Sequence, residues 1–268
     1  MQNKQIKWGA SYNVFDGIEL LEASIDLIRP HVDFISVVYQ TVSNLGNPVE
    51  DLEQEELLKS LVASKKVDKL IKYRPQFELG PHYNEVKKRE IGAAASQQVG
   101  CHYHLSLDCD EFYLGNELQY VKQYYLDNQL EGGYCQMLTY YKSTKYILDP
   151  PEDYGVPLFF DISRGQNYVW NAPAPILCDP TRKMPVERSK IFDRSEIQMH
   201  HLSGVRKNYR QKISNSSAVI NYRNQVDELV EAYESFDFDR DPRALCPGLS
   251  PVQYTNLKQV DDLFGINY

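Results

Sequence analysis

The chain has 268 residues, 42% of them hydrophobic and 25% charged, with a formal net charge of −8 at neutral pH. That balance is ordinary for a globular protein and excludes a disordered or fibrous chain, while the negative charge counts against a nucleic-acid partner. No apolar run approaches the roughly 18–20 residues needed to span a bilayer and residues 1–5 lack an apolar signal core, so the expectation is a cytoplasmic protein with no transmembrane segment.

Residues 6–11 read as a first strand, followed over 16–29 by apolar positions at Ile18, Leu21, Ile25 and Ile28, which is helical spacing. Pro30 stops that helix, and 32–39 is an apolar, β-branched run of the kind buried on both faces of a parallel sheet. A polar stretch at 43–48 leads to a helical pattern over 52–64, striped by Leu57, Leu58, Leu61 and Val62, then a third strand over 67–73. Residues 84–99 are again helical, with Ala93, Ala94 and Ala95 small enough for close packing on a sheet, and they feed a fourth strand over 103–107. Strands alternating with helices call for an α/β, doubly wound sheet, mainly parallel, with helices on both faces and ligands beyond the carboxyl ends of the strands.

Further along, 117–128 predicts a helix, 132–146 a strand or hairpin rich in Tyr and Thr, and 158–162 a short strand between the Pro- and Gly-rich loops 149–157 and 172–185. Helices are expected over 225–235 and 257–264. With no long linker, the chain reads as one domain: a nucleotide-binding half over 1–115, an acceptor-side half over 116–215 and a helical extension over 216–268. The 20 tyrosines fit half-buried sheet packing.

The chemistry gathers at Leu107-Asp108-Cys109-Asp110-Glu111-Phe112. Two carboxylates one residue apart, where a strand runs out, suit a hard divalent cation that shares its shell with phosphate oxygens, hence Mn²⁺ or Mg²⁺. A second cluster, His200, His201, Arg206, Lys207, Arg210 and Lys212, offers imidazole ligands and cations for a diphosphate. A helix over 206–212 would put Arg206 and Arg210 on one face; of the two histidines, one packs and the other faces the site. Five cysteines, Cys101, Cys109, Cys135, Cys178 and Cys246, show no C-x-x-C spacing, which fits a reducing compartment, and the Cys109 thiol is expected to pack inward.

The stretches 12–22, 88–94 and 107–112, followed by His200-His201 with Arg206 and Lys212, resemble in their order the GT-A glycosyltransferases of the family-2-like group. The resemblance implies a hexosyltransferase-like enzyme that moves a sugar from a nucleotide-diphosphate donor, foremost a UDP-sugar, to a glycan or other hydroxyl acceptor. It implies that Asp110 and Asp108, with His201 or His200, hold the metal, and that Asp108 alternatively contacts the ribose. Ser11, Tyr12, Asn13 and Tyr39 would line the nucleotide pocket, Arg89 would reach a phosphate or the donor sugar, and Arg206 and Lys212 would hold the departing diphosphate.

For an inverting reaction the proton acceptor must be a carboxylate across the sugar from the phosphate. Glu152 and Asp153 are preferred and Glu111 is next, although Glu111 could instead orient basic partners; a retaining outcome stays open. The acidic C-terminal region could be a lid, an acceptor site or a homodimer surface. Competing readings are a sugar-1-phosphate nucleotidyltransferase, which wants a Gly-rich loop where residues 11–17 hold a single glycine, and a non-catalytic nucleotide- or glycan-binding module.

Overall fold

The computed structural model describes residues 5–48, 53–247 and 252–268; residues 1–4 and the expected helix start at Leu52 lie outside the described residues. In chain order the elements are β1 (Trp8–Val14), α1 (Ile18–Ile28), β2 (Phe34–Tyr39), α2 (Gln54–Ala63), β3 (Lys69–Lys72), α3 (Gly80–Gln98), β4 (Tyr103–Asp108), β5 (Glu111–Phe112) and α4 (Gly115–Asn128). They continue as β6 (Gly132–Tyr141), β7 (Ser143–Asp149), β8 (Gly155–Asp161), β9 (Ser189–Ile191), β10 (Gln198–Gly204), α5 (Tyr209–Asn215), α6 (Val226–Glu234), β11 (Arg243–Cys246) and β12 (Gln253–Gln259). The chain forms two compact units, one of residues 1–136 with 154–199 and one of 137–153 with 200–268, a division that boundaries at 115 and 215 do not follow.

The first unit carries the α/β class and the doubly wound order expected of a GT-A domain. Its strands run β3-β2-β1-β4, all parallel, with Ala10 opposite both Ile35 and Leu105. β8 then pairs antiparallel with β4, Tyr103 opposite Asp161, and the first half of β6 pairs antiparallel with β8, which makes the sheet mixed. Successive residues of β1 face opposite sides. Tyr12 reaches Ser24 of α1 at 2.9 Å, whereas a Cβ on Gly9 would lie 2.4 Å from Ser96 Oγ of α3, so α1 and α3 cover opposite faces. α3 lies unusually close to the sheet, because a Cβ on Gly92 would come within 2.1 Å of Ser11 Oγ. The other face closes over Trp8, stacked on Tyr103 at 4.3 Å and edge-on to Phe159 at 4.7 Å. α3 begins four residues earlier than its apolar pattern suggests, since Pro81 in the first turn has no N–H to leave unsatisfied.

The second unit is antiparallel: Tyr140 of β6 lies opposite Ile147 of β7, Asn256 of β12 opposite Asp149, and Arg243 of β11 opposite Asn256. The segment read as a helix over 257–264 is not helical: it begins as the end of β12 and has no regular element after Gln259. Its apolar spacing arises because Leu257 alone in β12 turns inward, joining Leu148 and Leu245. α6 follows its pattern, burying Leu229, Val230 and Tyr233 against Tyr141, Tyr209 and Tyr222. α5 starts at Tyr209, so Arg206 precedes the helix and does not share a face with Arg210. Among the described residues no helix is long and apolar enough to cross a membrane.

Candidate active site

The first unit brings together a polar cluster at the carboxyl edge of its parallel strands. Register sets Asn13 of β1 beside Asp108 of β4, and Val14 beside Tyr39 of β2. β4 buries Leu105 and Leu107 and then must turn; Glu111 Oε2 accepts the Asp108 N–H at 3.1 Å and closes the turn. Glu111 in turn meets Arg182 in two-pronged fashion, Nη1 to Oε1 and Nη2 to Oε2, both at 2.6 Å. Arg182 ends a single 3₁₀ turn, Pro180–Arg182, whose start is fixed by Asp179 accepting the Thr181 N–H at 2.7 Å. From α3, Arg89 Nη1 donates to Ser106 Oγ at 2.9 Å, while Nη2 lies 3.3 Å from Asp108 and 3.8 Å from Asp179. With Arg182 Nη2 3.6 Å away, Asp108 sits between two guanidinium groups.

These contacts set the charge states. Burial alone would raise the Asp108 carboxyl, but Arg89 and Arg182 outweigh it and hold it down to about 2. Glu111, enclosed more deeply, is pushed up by burial to about 7 against the opposing pull of Arg182. Glu85, one turn before Arg89, is raised by burial and by the Asp179 carboxylate, and burial lowers Lys88 beside it. Five carboxyl groups (Glu85, Asp108, Asp110, Glu111, Asp179) thus share the cluster with three cations (Lys88, Arg89, Arg182). The carboxylates that keep their charge there can share a divalent cation with a phosphate. Among the described residues, however, no three His, Cys, Asp or Glu groups gather as a metal site. The residues present fit an ion held by one or two carboxylates, with phosphate oxygens completing its shell.

Asn13 is buried, and neither its amide nitrogen nor its amide oxygen has a hydrogen-bond partner among the described residues; the same holds for Arg89 Nε. Tyr39 is half-buried, with Lys72 Nζ 5.7 Å over its ring. Ser11 and Tyr12 do not line a pocket. β1 continues to Val14, so both lie inside the strand, fully buried, with Ser11 Oγ 3.0 Å from His104 Nε2 and Tyr12 bonded to Ser24. Glu111 has both its oxygens on Arg182 in a dry setting, the arrangement of a carboxylate that orients a basic partner. Cys109 packs inward as expected, its Sγ 3.8 Å from the Asn13 carbonyl.

The remaining residues singled out in the sequence belong to the second unit. The histidine pair lies on β10, where neighbours point to opposite faces. His200 is the packing member: its Nδ1 is 2.8 Å from Tyr140 Oη, its ring lies edge-on to Phe264 at 5.2 Å, and burial lowers it to about 4. His201 is half-buried. Arg206 is buried, its N–H donating to the Tyr233 hydroxyl at 3.2 Å, and Lys212 is half-buried on α5. Glu152 is half-buried and accepts from Thr139 Oγ1, whereas Asp153 is exposed. Arg182, Asp179 and Glu85 stand in no recognisable motif; for Glu85 the available signal is its place one turn before the adjacent cations Lys88 and Arg89.

No family model matches the sequence, and no curated protein does. Among solved structures, S. aureus TarS 1–349 superposes with a TM-score of 0.47 at 8% identity over 80% of this chain, and its complex with UDP-GlcNAc with 0.46 at 10% over 87%. GalNAc-T7 with UDP, GalNAc and Mn²⁺ gives 0.44 at 10% over 89% of this chain and 53% of its own length. This chain spans 65% of the TarS 1–349 fragment and 45% of the longer TarS structure.

Proposed function

We propose that the chain is a nucleotide-sugar glycosyltransferase whose donor binds over Asn13, Tyr39, Arg89 and Asp108. The observation that carries this reading is the buried, unpartnered side-chain amide of Asn13 at the end of β1, beside the Arg89–Asp108–Arg182 array. Buried polar groups are seldom left without a partner, and an amide near the carboxyl end of a parallel strand stands where such sheets bind their ligands. Asp108, fully ionised, accepts hydroxyls of the ribose or donor sugar, and the two arginines keep that carboxylate fixed and charged. Asp110, with Asp108, would hold Mn²⁺ or Mg²⁺, which supplies charge relief for the leaving diphosphate.

In transfer, the acceptor oxygen bonds to the anomeric carbon while the bond from that carbon to the diphosphate oxygen breaks, its electron pair leaving with the diphosphate. The hydroxyl proton passes to a carboxylate, for which Glu152 and Asp153 remain the proposed acceptors. The test is a panel of UDP-, GDP- and TDP-sugars with Mn²⁺, Mg²⁺ or chelator, read by thermal shift and by slow donor hydrolysis. At least one donor should stabilise the protein, since a ligand bound to the folded form alone raises its stability, and Asn13→Ala and Asp110→Asn should abolish the shift. Stabilisation without hydrolysis or transfer would favour a non-catalytic binding module; no shift with any donor would refute the proposal.

A further inference from the structure

The face of α3 that carries Arg89 extends outward. His82, Glu85 and Arg89 are spaced three and four residues apart, which aligns them on one side of the helix over about 10 Å at 1.5 Å per residue. At the outer end the exposed His82 imidazole lies 4.6 Å from the Trp170 ring, tilted by 38°. Trp170 is 48% exposed, yet its backbone is pinned. Val169 N donates to Lys183 O and Asn171 N to Pro180 O, each at 2.9 Å. Asn171 takes a left-handed φ of 53°, a conformation its residue type tolerates. Those bonds fasten the indole to the same turn that carries Asp179 and Arg182. Glu85 and Asp179, close enough to raise the Glu85 carboxyl, sit on the elements that connect the aromatic pair with the arginines.

The indole is thus a large flat ring presented to solvent at a fixed position. Two kinds of ligand have faces flat enough to lie on it, a pyranose ring and a nucleobase. The donor reading above already gives the nucleobase to Asn13 and Tyr39, and the elements that carry the aromatic pair also bring the carboxyl groups of Glu85 and Asp179. A neutral sugar instead presents C–H groups to the ring and hydroxyl donors to those same carboxylates. We propose that Trp170 and His82, with Glu85 and Asp179, form a subsite for a pyranose unit of the acceptor; the assignment to acceptor rests on the glycosyltransferase reading above.

Trp170 is one of two tryptophans, and the other, Trp8, is buried, so quenching by acrylamide reports on Trp170. The full chain should be titrated with maltotriose, chitotriose and lactose, with UDP alone and with the stabilising donor. At least one saccharide should shield Trp170 while UDP does not, and Trp170→Ala should weaken that saccharide's calorimetric affinity about tenfold or more while leaving the donor thermal shift unchanged. Shielding by UDP and by no saccharide would overturn the proposal in favour of a base-stacking site. No shielding by any saccharide would also overturn it, and an intact donor shift in that experiment would leave the glycosyltransferase reading standing. Saccharide shielding without any donor shift would keep the pyranose subsite and sink the donor reading.

Discussion

Replacing Arg182 with Met removes the charge at the centre of the polar cluster but keeps most of the aliphatic stem. Arg182 and Glu111 side chains are only 6% and 4% exposed and meet through two bonds of 2.6 Å, so solvent screens the pair little. Deleting one partner of such a pair strands the other charge in a dry setting, at a cost of about 3–5 kcal/mol. The contact with Asp108, whose carboxylate is 39% exposed at 3.6 Å, adds at most about 1 kcal/mol. For a chain of this size that total lowers the melting temperature by roughly 10 °C. Adding Glu111→Gln removes the stranded carboxylate, and the double variant should recover most of the loss, so that the coupling in a double-mutant cycle followed by urea denaturation is about 3 kcal/mol or more. Donor binding should not recover, because Asp108 then lacks one of its two guanidinium neighbours. The reasoning is refuted by a single variant that loses less than about 1 kcal/mol, or by a double variant as unstable as the two single changes added together.

Acid should destabilise the fold through two buried imidazoles. Burial holds His104 down to about 3 and His200 to about 4, against an ordinary 6.5, so their contribution is intact above pH 6.5 and is lost as pH falls toward those values. Each loses about 2 kcal/mol between pH 7 and pH 5, whereas Glu111, raised to about 7, works in the opposite sense over that range. The check is a difference: His104→Asn should flatten the fall in stability from pH 7 to 5 by about 2 kcal/mol, and an unchanged slope contradicts a neutral buried His104. Gly92→Ala should cost about 1–3 kcal/mol by forcing α3 off the sheet, because the new methyl would lie 2.1 Å from Ser11 Oγ and 2.5 Å from Ser11 Cβ. Ser11→Ala should not relieve it, since that Cβ remains.

What the sequence made legible follows from the kind of force involved. β1, β2 and β4 announced themselves because strands buried on both faces need continuous apolar runs, and Pro30 fixed where α1 ends; with that order in hand, Asp108 could be placed at a strand end and the acidic turn after it given chemical meaning. The difficulty begins where the length of a strand decides burial. The resemblance turns Ser11 and Tyr12 toward a ligand, whereas the pairing of β1 with β2 runs on to Val14 and buries both, leaving Asn13 near the edge. His200 and His201 were ambiguous because their run has no helical period; once β10 is known to be a strand, one must face inward. Arg182 was illegible for a different reason. It lies in a Pro-rich segment without periodicity, and its partner Glu111 is 71 residues away in sequence. Burial of apolar surface is non-directional and leaves its mark on every third, fourth or second residue, while a buried ion pair is a single directional contact whose members need share no pattern at all. The arginine that fixes the cluster is therefore the kind of residue that only a folded chain reveals, and the same holds for the indole at 170, which meets His82 across 88 positions of sequence.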